Sequence, residues 1–195
     1  MSVRHPKTQA RRAELLKVAR EVLAEKGFDA TTISEIVSRA GVAQGTFYLY
    51  FPSKISLVVT LALEMQNSIE QALHTAYADA ADLGEMIDKS VEAAFRIMRE
   101  YRDIMVLVHS GIRWLENEES QVPIFARYHA LIAETIRQAQ ERGDINSTIH
   151  ADATAVFIVG TVYYAADQCY VYRSSISPDT YIAEASRFIR QALGV

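Results

Sequence analysis

A single cysteine, Cys169, occurs in the 195 residues, which rules out an intrachain disulfide, and the basic N-terminus lacks the apolar run of a secretory signal. A cytoplasmic protein is expected. No apolar stretch is long enough to span a bilayer: the longest, Ala153 to Ala166, is interrupted by threonine and tyrosine and stops at Asp167, short of the roughly 20 residues a spanning helix needs. Strand-type alternation, internal repeats and low-complexity tracts are all missing. Half of the residues are hydrophobic, enough to bury a core, and their spacing reads as an all-α protein.

The signatures of catalysis are absent too. The five histidines form neither H-x-x-x-H nor H-E-x-x-H, none follows a glutamate by three residues, and neither G-x-S-x-G nor G-x-x-x-x-G-K occurs. Glu70 and His74 lie one helical turn apart, a spacing that reads as a surface ion pair. Cys169 sits in an aromatic helix, where burial makes a thiol inert. No enzyme, no cofactor and no metal site is expected.

Charge is what the chain distributes unevenly. Residues 1–56 hold nine Lys and Arg against five Asp and Glu, a net +4, and the remaining 139 hold eleven against nineteen, a net −8, within an overall −4. A small basic part on a larger acidic one is the footprint of a nucleic-acid reader whose body does something else. Residues 31–54, TTISEIVSRAGVAQGTFYLYFPSK, supply the reading unit. Thr32 and Glu35 form a capping box, so a helix starts at Ile33; Ile33, Ile36 and Val37 give it an apolar stripe, and Gly41 closes it in a left-handed conformation with Val42 returning towards Val37. The segment from Gln44 to Tyr50 is too short to be stable alone, so Phe47 must pack inward while Gln44, Thr46 and Tyr48 face out. Glutamine can pair with adenine, a threonine methyl can meet the thymine methyl, and tyrosine and lysine reach phosphates.

These residues resemble the DNA-binding signature of the TetR family of bacterial transcriptional regulators: the T-T-I-x-x-I opening, the A-G-V turn, the G-T-F-Y core and the Y-F-P-S-K close, all in register. Ala43 stands where such proteins often carry a serine cap, and Ile55 where many carry glutamate. The resemblance implies a helix-turn-helix domain over residues 1–53 and a helical effector-binding and dimerisation domain over 54–195. It also implies DNA contacts by Thr32, Gln44, Gly45, Thr46, Tyr48, Tyr50 and Lys54, and double-stranded operator DNA as partner.

Helical spacing places further elements at about 8–26, preceded by a basic arm at 1–7, and then at 54–78, 82–101, 103–115, 122–142, 151–172 and 178–193, with a loop at 116–121. The helix from Lys54 has no internal glycine or proline and joins the basic part to the body. The penultimate helix is apolar on more sides than an intrachain bundle requires. Together with the last it resembles the family's four-helix homodimer interface, where Gly160 would permit close approach. His109, Trp114, Tyr128, Tyr163, Tyr164 and Asp167, polar tips amid apolar helices, are the candidates for an effector pocket of several hundred cubic ångströms that binds a small hydrophobic molecule of unknown class. The expected function is a ligand-responsive repressor. Two alternatives stay open: a helical-bundle enzyme with an incidental helix-turn-helix, and a structural DNA-binding dimer without effector control.

Overall fold

The computed structural model describes residues 6–110 and 125–195, with side chains from residue 8 to 107 and from 125 onward. Among the described residues run nine helices and no strand: α1 (Pro6–Ala30), α2 (Ile33–Arg39), α3 (Gln44–Tyr48), α4 (Lys54–Asp79), α5 (Leu83–Glu100), α6 (Arg102–Ser110), α7 (Ala126–Arg142), α8 (Ala151–Tyr170) and α9 (Pro178–Leu193). The expected loop at 116–121, Trp114 and the first five residues of the arm lie outside the described residues. No described helix is long and apolar enough to cross a membrane.

Packing separates two compact units that interleave in sequence. One takes the described residues of Met1–Glu64 and Asp103–Val122, the other Met65–Arg102 and the described residues of Pro123–Val195, so the 26-residue α4 contributes to both. Leu15, Val22 and Leu23 of α1, Ile36 of α2, Phe47 of α3, Leu57 of α4, and Ile104 and Met105 of α6 form the fully buried core of the first unit. Arg20 fixes α1 to α6 by donating through Nε and Nη2 to the two carboxylate oxygens of Asp103, at 2.5 and 2.6 Å. In the second unit α5, α7, α8 and α9 pack with the later turns of α4. Asp82 and Ser177 cap α5 and α9 by accepting from the amides of Glu85 and Thr180, and Gly143 and Gly194 end α7 and α9 in the left-handed region.

Local chemistry accounts for the turn between α2 and α3. Thr32 Oγ1 accepts from the Glu35 amide at 3.2 Å, as the sequence requires of a cap. The other half of the expected capping box is not made: the Glu35 carboxylate turns to Lys26 at 2.8 Å and Arg39 at 3.2 Å, where two cations hold it below the ordinary carboxylate range. At the far end Gly41 adopts φ 63°, with the amide of Val42 on the Val37 carbonyl at 3.0 Å and that of Gly41 on Ser38 at 3.2 Å. This double bond pattern satisfies the last carbonyls of α2 and aims the chain into α3. Gly27 breaks the helical path of α1 at φ 76° and ψ 177°, before a single further turn. Ser53 and Ser56 cap α4 reciprocally, each hydroxyl accepting from the other's amide at 3.1 and 3.0 Å.

No atom lies within 4 Å of a Cβ built on Gly41, so the only cost of a side chain there is conformational. Gly41→Ala should destabilise the protein by about 1 kcal/mol in urea unfolding, and Gly41→Asn by less, because asparagine tolerates the left-handed region.

Candidate nucleic-acid interface and ligand cavity

Helix α3 has five residues and no side-chain cap, since Ala43 offers no oxygen. It is held from below. Phe47 is fully buried and meets the Phe51 ring at 5.5 Å and, edge-on, the Tyr48 ring at 5.6 Å. With that one side chain inward, the rest of the short helix turns out: Gln44, Gly45 and Tyr48 are exposed, and Thr46 and Tyr50 half-buried. Leu49 escaped the sequence reading. It is 80% exposed beside Tyr48, an apolar side chain on an otherwise polar face. Its signal was its place two residues after the inward Phe47, about 200° round the helix from it.

The cations around this face are mostly engaged by the unit's own acids. Arg39 forks onto Glu25 at 2.8 and 2.6 Å, Arg11 pairs with Glu14 at 2.9 Å, and Arg12 lies 5.4 Å above the Phe51 ring and 3.9 Å from Glu64. Exposed pairs of this kind contribute roughly 0 to 1 kcal/mol, so an arriving phosphate can replace the acid at little cost. Lys54 differs. Expected on a phosphate, it instead donates through Nζ to the carbonyls of Phe28 at 2.6 Å and Thr31 at 2.7 Å, with the ammonium 4.1 Å from the Phe28 ring centre. Burial pushes that ammonium below its ordinary value, with Asp29 acting in the opposite direction. Lys54 is a strut: it ties α4 to two carbonyls where the chain leaves α1. Thr32, likewise expected near phosphate, is exposed and occupied as the cap of α2.

A cavity of about 100 Å³ lies inside the second unit, narrower than the several hundred expected. Its wall is almost wholly apolar and includes Met65, Met86 and Met98, flexible side chains that take up room. Two of the polar lining groups are satisfied locally, as Ser90 and Thr135 donate to the carbonyls of Met86 and Leu131 one turn back. Two others are not: Gln66 Nε2 and the Tyr128 hydroxyl are buried without a hydrogen bond, in residues only 4% and 5% exposed. Each such orphan costs about 1 to 3 kcal/mol. Burial first, and the Glu70 carboxylate second, raise Tyr128 far above the ordinary phenol value, so it stays a neutral hydroxyl. Glu70 takes Arg127 at 2.5 Å and stands 4.0 Å from His74.

The six sequence-derived pocket candidates therefore separate. Tyr128 and Tyr163 line the cavity, Tyr163 against the Phe125 ring at 5.1 Å and raised in pKa by burial and by neighbouring Asp167. Asp167 is buried nearby but is not part of the wall. Tyr164, one residue beyond Tyr163, points about 100° further round the helix; it is 65% exposed and does not reach the cavity. His109 is placed on α6 by its backbone alone, and Trp114 lies outside the described residues. Gln66, Tyr77, Ser90 and Thr135 were missed, because their polar atoms converge only once α4, α5 and α7 are packed.

The outer side of α8 carries a second apolar stripe, Val156, Phe157, Gly160, Thr161 and Tyr164, which together with Tyr181, Ala185 and Phe188 of α9 walls an open groove. Phe157 is 71% exposed there. The inward stripe of the same helix, Ala155, Val162 and Ala166, is buried, which explains why α8 is apolar on two sides.

Comparisons with known proteins agree with this geometry. A family model described as bacterial regulatory proteins, tetR family, matches residues 15–61, and one described as tetracyclin repressor-like, C-terminal domain, matches residues 87–193. An uncharacterized HTH-type transcriptional regulator of Bacillus subtilis, YvdT, is 30% identical over 189 residues, covering 96% of this chain and 97% of that protein. Among solved structures, a putative TetR-family transcriptional regulator from Syntrophomonas wolfei superposes with a TM-score of 0.82 at 17% identity, covering 96% of each chain. The fatty acid degradation regulator FadR from Bacillus halodurans does so at 0.78 and 19%, again over 96% of each. At those identities the two structures speak to the fold.

If Lys54 is the strut its bonds describe, Lys54→Met, which keeps the stem and removes both donors, should lower the unfolding free energy in urea by about 2 kcal/mol. Unchanged stability would return Lys54 to the list of surface cations.

Proposed function

The chain belongs to the TetR family of bacterial regulatory proteins and is a DNA-binding transcriptional regulator, and on that premise we propose a cytoplasmic homodimeric repressor released from a pseudo-palindromic operator by a small hydrophobic effector. Residues 1–53 read DNA; residues 54–195 dimerise and bind the effector. The observation that supports the first half most directly is the outward polar face of α3 over a fully buried Phe47, a recognition surface anchored by its own underside.

On that face Gln44, Thr46 and Tyr48 sit at base edges, Leu49 adds an apolar contact for a thymine methyl, and Tyr50 reaches the backbone. Gly45 has a different part. It is exposed, its φ is not in the left-handed region, and a Cβ there would meet nothing within 4 Å. Neither conformation nor internal packing requires glycine, which leaves close approach of the helix backbone to the partner as its purpose.

Dimerisation uses the outer stripe of α8 with α9. A contiguous apolar groove on a charged surface is a partner site, and in a two-fold dimer the same stripe meets its own copy. Exposed Gly160 lets the two copies of α8 come close. The cavity in the same body, with polar atoms left unmade, favours an effector-controlled protein over a structural dimer with a filled interior. An effector that binds better to the conformation with splayed recognition helices lowers operator affinity, and operator weakens effector binding by the same factor. α4, continuous from Lys54 to Asp79, is the element through which such a change would pass.

Gly45→Ala should separate reading from folding: helix stability rises by about 0.5 kcal/mol, while affinity for a selected operator in a gel shift at fixed salt falls by roughly tenfold. Phe157→Glu places a charge in the groove and should convert the dimer to a monomer by sedimentation velocity, with the helical circular dichroism spectrum retained.

A further inference from the structure

The cavity in the second unit restricts what it can hold, and this inference rests on the effector reading given above. Among the described residues, its wall contains no lysine, arginine, histidine, aspartate or glutamate. A carboxylate, phosphate or ammonium brought into it would lose its hydration and find no opposite charge in that wall, the nearby Glu70 being already paired with Arg127, and that cost is far larger than a few apolar contacts return. A pure hydrocarbon meets the opposite objection. It would leave Gln66 Nε2 on α4 and the Tyr128 hydroxyl on α7 as they are now, buried and without hydrogen bonds.

We propose that the ligand of this cavity is an uncharged, largely hydrocarbon molecule carrying one oxygen, a ketone, ester or alcohol, that accepts a hydrogen bond from Gln66 Nε2, the Tyr128 hydroxyl or both. Both groups are donors in side chains more than nine-tenths buried, in residues that line the same cavity. Size follows from the volume: about 100 Å³ accommodates on the order of ten non-hydrogen atoms, at one atom per water-sized position. Met65, Met86 and Met98 can adjust around a somewhat longer chain. The polar atoms decide orientation, with the oxygen between α4 and α7 and the hydrocarbon directed along the isoleucine and valine wall of α7 and α8, Ile132, Ile136, Ile158 and Val162.

The test compares three probes of equal size on the full chain at pH 7.5: nonan-2-one, octanoate and nonylammonium, by isothermal calorimetry with thermal shift alongside. The ketone should bind at least tenfold more tightly than either ion. Tyr128→Phe and Gln66→Leu should each weaken ketone binding by about fivefold, yet leave the unliganded protein as stable as before or more so, because each removes an orphaned polar atom. A side chain that merely supported the fold would lower stability instead. Either ion binding as tightly as the ketone, or both variants binding it as the unaltered chain does, overturns the proposal while the effector reading stands. If no probe binds, the effector reading of this cavity fails and the proposal with it. The comparison of the three probes needs no variant, so a misfolded substitution cannot decide it.

Discussion

A helix of five residues cannot hold itself together in water, and everything this protein presents to DNA depends on a remedy for that. The remedy is Phe47. Its ring is fully buried against Phe51, and it fixes the rotation of α3 so that Gln44, Gly45 and Tyr48 must face out. The elements around it serve the same end. Gly41 directs the chain out of α2 at the one angle that brings Phe47 home, and Lys54 ties the start of α4 to the end of α1, closing the small unit on its open side. Three weak elements are thereby made into one rigid surface.

The second constraint is the doubled apolarity of α8. A helix in a small bundle needs one greasy stripe, and this one has two, the inner buried under α5 and α7 and the outer bare. In the proposed dimer the outer stripe would form the interface, while Ile158, Val159, Val162 and Tyr163 of the same helix wall the cavity. In the proposed arrangement an effector in the cavity would touch the helix whose outer face meets the second copy.

How much of this could be read from the sequence follows the range of the interactions involved. Capping, turn and periodic signals act within a few residues, and they located all nine described helices: Thr32 and Ile33, Gly41, Ser53, and Gly143 stand at the expected ends. The inward turn of Phe47 was legible for the same reason, since a five-residue helix has only one face to bury. The carbonyl bonds of Lys54 were not legible, because its partners, Phe28 and Thr31, are more than twenty positions away in sequence and a lysine beside a recognition helix shows no such role until they are placed. Glu35 likewise left its box for cations on α1 and α2. Within the body, Tyr163 and Tyr164 carry the same side chain one residue apart, and only packing tells which of them reaches the cavity.

That a dimer presents two copies of this face, one to each half of a symmetric site, is the claim on which the rest hangs. Selecting bound sequences from a random DNA library with the purified full chain measures it most directly. The account predicts an inverted repeat whose half-site centres are separated by about one helical turn, 34 to 36 Å, or a multiple of it. Enrichment of a single unrepeated motif, or of no motif at all, would contradict it.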